Sequence, residues 1–138
     1  MYYFLFAIIA LTTLFIGCNK DDEEKSEQYK LLTSHTWVSD SLIADGQSAG
    51  GVGELLYNFA GETKFNDDGT GKIGKYEGTW SLSSDNTKLT IDSDDLAFAL
   101  TVTLSELTET SLKVTTTFPS TENPGTLIKV RMTFVPKS

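Results

Sequence analysis

From Trp37 onward the chain alternates between apolar and polar positions. Leu96, Phe98, Leu100, Val102 and Leu104 are apolar, and Ala97, Ala99, Thr101, Thr103 and Ser105 between them are small or polar. The same parity returns in Leu112, Val114 and Phe118 against Lys113, Thr115 and Thr117. It recurs in Ile128, Val130, Met132 and Phe134 against Lys129, Arg131 and Thr133. Successive side chains of a strand point to opposite sides, so a period of two over this length describes a sheet with one dry and one wet face. The abundance of Thr and Val argues against helices over these stretches. Shorter strands are predicted at 36–43, 55–59, 62–66, 71–75, 77–83 and 88–92.

Turn chemistry separates the strands. Asn66-Asp67-Asp68-Gly69 is a hairpin signal, with Gly69 free to take positive φ. Ser84-Asp85-Asn86, the 92–95 run and Thr108-Glu109 are polar turns, 119–125 is a longer loop, and 46–53 is a Gly-rich connection. Ahead of the strands, one short helix within 23–34 would put Tyr29 and Leu32 on a common face. Eight or so strands joined mainly by tight turns predict an all-β domain: an antiparallel up-and-down barrel, or a two-sheet sandwich.

The first 17 residues carry no charged side chain. As a helix they would cover about 25 Å, short of the ~30 Å hydrocarbon core, so a signal peptide is the better reading than a membrane span. Cys18, the sole cysteine, stands where this apolar run meets a polar, acidic stretch. Leu14-Phe15-Ile16-Gly17-Cys18 resembles a lipobox, in which a small residue before the cysteine admits the signal peptidase. Cys18 is therefore the expected lipidation site. Each buried methylene contributes about 0.8 kcal/mol, so two or three acyl chains anchor a protein stably where one does not. The alternative is an unpaired cysteine behind an ordinary cleaved signal. Asn19-Lys20-Asp21-Asp22-Glu23-Glu24 resembles the surface-export signal of Bacteroidota-type lipoproteins, and also reads as a solvated linker. The expected organisation is a signal peptide at 1–17, a lipidated cysteine and acidic linker at 18–30, and a barrel domain at 31–138.

Charge narrows the partners. With 19 acidic against 11 Lys and Arg residues, the net charge is −8. That balance argues against nucleic acid and against electrostatic docking on anionic lipid. Lys129 and Arg131 form the only close basic pair near the C-terminus. One cysteine allows no intramolecular disulfide, so the fold must rest on apolar burial.

Residues 32–37, 63–71, Gly78-Thr79-Trp80-Ser81-Leu82 and Lys88-Leu89-Thr90-Ile91 resemble the lipocalin-like domain of many Bacteroidota-type lipoproteins. Lys64-Phe65-Asn66-Asp67-Asp68-Gly69-Thr70-Gly71 matches that family's hairpin, and Ser105 to Val114 fits its later part, so the resemblance spans roughly residues 31–135. His35 stands where the family usually has glycine before the tryptophan. The resemblance implies a calycin-like barrel on a lipid tether, generally without an assigned reaction.

Motifs that carry chemistry elsewhere find no support in their surroundings. Gly69-Thr70-Gly71-Lys72-Ile73-Gly74 matches Gly-x-Gly-x-x-Gly, but the residues that follow read as a strand, so no helix N-terminus is available for a pyrophosphate. Setting Gly69 at the sixth position of a calcium loop puts Lys64 first and Lys75 twelfth, where carboxylates are required. Asp92, Asp94 and Asp95 read as a solvated turn. His35, the only histidine, cannot build a histidine metal site, and no nucleophile elbow accompanies it. No cofactor, metal or catalytic residue is assigned, and an enzyme is not expected.

Trp37, Trp80, Phe98, Phe118, Met132 and Phe134 are core positions by parity, or alternatively the lining of an apolar cavity. An eight-stranded barrel is just wide enough to be filled by side chains or to hold one small ligand. The apolar load predicts a mainly filled interior, with at most a small pocket near the 46–53 end. The expected function is that of a non-enzymatic outer-membrane lipoprotein, facing the cell exterior and binding a small apolar ligand or a protein or glycan partner. The alternative is an accessory subunit of a surface complex with a filled barrel and no ligand.

Overall fold

The computed structural model describes residues 25–138; the leader, Cys18 and the acidic run at 19–24 lie outside the described residues. A helix α1 (Glu27–Ser34) leads into nine strands: β1 (Thr36–Ala44), β2 (Gln47–Ser48), β3 (Glu62–Phe65), β4 (Thr70–Ile73), β5 (Tyr76–Leu82), β6 (Lys88–Ser93), β7 (Leu100–Leu107), β8 (Leu112–Pro119) and β9 (Leu127–Pro136). Every pairing is antiparallel, and each strand from β3 to β8 pairs with the next. β1 pairs with β3 on one side and β9 on the other, which closes eight strands into an up-and-down barrel. The two-residue β2 is added to β1 beside Ile43 and Ala44. The barrel prevails over the sandwich because the long β1–β9 ladder, from Trp37–Pro136 to Ala44–Val130, leaves neither strand as an edge.

The alternation read from the sequence becomes the dry face of this wall. Leu100, Val102, Leu112, Val114, Val130, Met132 and Phe134 are buried together with Trp37, Trp80, Leu89 and Ile91. Phe118, Ile128, Leu82, Leu96 and Leu104 pack partly buried against them. Phe98 departs from the pattern. It is 71% exposed, because β7 begins only at Leu100 and the residues before it form a loop. The predicted strand at 55–59 is also corrected: Tyr57–Phe59 is a 3-10 turn. A five-residue, mostly apolar run has no resolvable period, and here the run is pinned as a plug. The Leu56 amide donates to the Ala49 carbonyl (2.8 Å), and Phe59 N–H donates to Leu56 O (3.0 Å).

Both mouths of the barrel are closed by chain. At one end, Ser26 caps α1 by accepting from Tyr29 N–H (3.1 Å), and Leu32 is fully buried. Trp37 Nε1 donates to the Leu32 carbonyl (3.2 Å), and Tyr29 stacks on Trp80 with centroids 5.1 Å apart. The boundary expected at residue 31 falls inside this helix. His35 follows it with φ −124°, an extended conformation that does not call for glycine. At the other end, the excursion between β2 and β3 inserts Leu56 and Phe59, which are 0% and 4% exposed. The Gly-rich segment that carries this plug is tied to the wall by Ala49 N–H donating to Leu42 O (2.8 Å).

The motif Gly-x-Gly-x-x-Gly has a structural account. It spans the β3–β4 turn, β4 and the β4–β5 turn. A Cβ at Gly71 would lie 2.5 Å from the Lys64 carbonyl oxygen, so glycine is what lets β3 and β4 approach. At Gly74, φ is +57° and a Cβ would collide with the Asn58 carbonyl.

Candidate binding cleft

The plug at the second end leaves a cleft between itself and the loop that precedes β7. Its volume is about 300 Å³, and its walls are Leu55, Phe59, Tyr76, Leu96, Ala97, Phe98, Leu100, Phe118 and Pro119, with Asp95 as the one charged residue. The 3-10 turn positions Phe59, whose ring sits 4.9 Å from Tyr76 and 6.2 Å from Phe118, centroid to centroid. The β6–β7 loop carries Phe98 across the opening because Leu96 N–H is held by Ser93 O (3.0 Å) and the Ser93 hydroxyl accepts from Asp95 N–H (3.3 Å). Leu55 on the opposite lip is 48% exposed. An aromatic floor with two exposed apolar lips is suited to a small apolar guest, at the low end of the volumes that ligand sites occupy.

The residues proposed from sequence as a lining divide into two groups. Phe98 and Phe118 meet in this cleft. Trp37, Met132 and Phe134 are at most 1% exposed and belong to the packed interior. Trp80 is 7% exposed, sits on the helix-capped side against Tyr29 and Phe65, and donates from Nε1 to the Asn66 carbonyl (2.9 Å). Sequence reasoning missed Leu55, Phe59 and Tyr76, because their cluster depends on how the excursion folds back. The one available signal was the density of large apolar residues in 52–59 beside glycines. Cys18 lies outside the described residues.

A second depression, of about 610 Å³, lies on the outer wall across β7, β8 and β9. Thr101, Thr103, Thr115, Thr116 and Thr117 line it together with Ile43, Gly46, Lys129, Val130 and Arg131. Strand register sets Thr103 beside Thr115 and Thr115 beside Arg131 in one row, with Thr117 beside Lys129 in the next.

The acidic clusters hold their own turns. Asp68 Oδ1 accepts from the Thr70 amide (2.9 Å) and hydroxyl (2.6 Å), bonds that hold its carboxyl below the usual range. Asp85 accepts from the Ser83 hydroxyl (2.6 Å) and from the hydroxyl and amide of Thr87, which lower it to about 2. Among the described residues no group of three or more His, Cys, Asp or Glu side chains is arranged to hold a metal ion. Compared with models of known protein families, the chain matches none. No curated protein matches it either.

Proposed function

We propose that this chain is a non-enzymatic lipoprotein of the Bacteroidota type, anchored through acyl chains on Cys18. It displays its lipocalin-like barrel on the outer face of the outer membrane and binds a small apolar ligand in the loop-end cleft. The observation that carries the binding reading is the cleft itself, in which Phe98 stays 71% exposed over a floor of Phe59, Tyr76 and Phe118. An exposed phenylalanine beside an apolar depression is stabilised when a guest covers both. The orientation fits a tether. The chain enters through α1 at the opposite end of the barrel, where Tyr29 donates to Asp67 of the β3–β4 hairpin (2.8 Å), so an anchor at Cys18 would leave the cleft pointing away from the bilayer.

Two measurements test the proposal. Labelling with palmitate is expected for the full chain and not for Cys18→Ala; equal labelling would end the anchor. The uncharged dye N-phenylnaphthylamine is expected to bind the soluble domain, and Phe98→Ser is expected to weaken it about tenfold. An unchanged affinity would remove the cleft as the site. A second reading, the accessory subunit of a surface complex, is favoured by the filled interior, where Trp37, Leu32, Leu56 and Met132 are all fully buried. Copurification of a stable protein partner, with no dye binding, would decide for it.

A further inference from the structure

The seam between β7 and β8 is open toward the cleft. Their ladder ends at Thr103–Thr115, although β7 runs back to Leu100 and β8 runs on to Pro119. The outer neighbours do not open: β6 pairs with β7 as far as Ile91–Leu100, and β8 with β9 as far as Pro119–Leu127. Pro119, which has no amide hydrogen, falls on the stretch of β8 that is unpaired with β7. A side chain takes over from the backbone there, with the Thr116 hydroxyl donating to the Thr101 carbonyl (3.0 Å).

The open seam separates the two depressions by a single residue on each strand. Leu100 lines the apolar cleft, and its neighbour Thr101 lines the outer groove. Phe118 lines the cleft, and its neighbour Thr117 lines the groove. The only formal charges in the groove are Lys129 and Arg131, and neither makes an ion pair with a carboxylate among the described residues. The nearby Asp45 carboxylate is turned onto the Lys129 backbone amide (2.8 Å). In a chain of net charge −8, two cations two positions apart on β9, flanked by threonine hydroxyls, stand out as a site for a negative group.

Resting on the cleft proposed above, we infer that the ligand is a single-chain anionic amphiphile. Its apolar chain lies in the cleft, and its carboxylate or phosphate head passes the Thr101–Thr116 seam to the Lys129 and Arg131 side of the groove. The cations and hydroxyls serve the head by charge-assisted hydrogen bonds, and the aromatic floor serves the chain.

Calorimetric titration of residues 25–138 with dodecanoate, dodecyl phosphate, dodecanol and acetate tests this. The anionic amphiphiles are expected to bind about tenfold more tightly than dodecanol, the increment two partly exposed charge contacts supply. Acetate is expected not to compete. Lys129→Gln combined with Arg131→Gln should abolish the preference for the anions and leave dodecanol binding unchanged. Equal binding of dodecanoate and dodecanol, a preference that survives the double substitution, or competition by acetate would each overturn the inference while the cleft stands. Absence of binding by all three twelve-carbon probes would overturn the cleft as well.

Discussion

Thr63 is fully buried in β3, and its hydroxyl has no hydrogen-bond partner among the described residues. It stands opposite Trp37 on β1 and Ile73 on β4, in apolar surroundings. Desolvating a hydroxyl without a partner is unfavourable, so Thr63→Val should leave stability unchanged or raise it by about 1 kcal/mol in urea unfolding. A clear loss would mean that the hydroxyl is satisfied. Tyr29 makes a second residue-scale case. Partial burial and the hydrogen bond to the Asp67 carboxylate push its phenol up to about 12 from an ordinary 10. The folded state therefore favours the protonated phenol. This contribution is complete below about pH 10 and is lost as pH rises through about 12. Alkaline melting should steepen over that window in the wild type and not in Tyr29→Phe; identical profiles would contradict the assignment. Neither residue's role was legible in the sequence. Tyr29 and Leu32 were readable as one helical face, but the partner Asp67 lies 38 positions away and only the closed fold brings it close.

At the scale of elements, parity carried most of the architecture and its failures have physical causes. Trp37 and Leu42 are both buried, yet five residues apart they cannot face the same side of a regular strand. The β1–β9 register shifts between Ser39 and Ser41, and that bulge restores Leu42 to the interior. β7 shifts likewise between Leu104 and Glu106. A bulge leaves no compositional mark, so a strict period-two reading passes over it. Phe98 leaves the buried face of the strand, though not the cleft lining, for a related reason: its parity continues that of Leu100, but the loop after β6 lacks strand geometry. The Gly-x-Trp segment is clearer. A Cβ at Gly78 would collide with the Asp92 carbonyl on the paired strand. Gly78→Ala should therefore part β5 from β6 and lower stability by roughly 2 kcal/mol in thermal or urea unfolding. A neutral effect would show that this strand pair yields easily.

On the scale of the whole molecule, the barrel is a filled cylinder capped differently at its two ends. α1 closes one mouth with Leu32, and the excursion after β2 closes the other with Leu56 and Phe59. Filling was readable from the number of large apolar residues, since the interior of eight strands has little room beyond them. The position of the cleft was readable only as an end of the barrel. Its walls come from the excursion, the β6–β7 loop and the ends of β5, β7 and β8, which no local pattern relates. In the proposed function, recognition occurs at this loop-end cleft and not within the barrel. Amide and aromatic chemical-shift mapping with dodecanol tests it most directly. Perturbations are predicted to cluster at Leu55, Phe59, Leu96, Phe98 and Phe118, with Trp37, Met132 and Phe134 unmoved. Shifts centred on those three interior residues, or none anywhere at saturating probe, would contradict it.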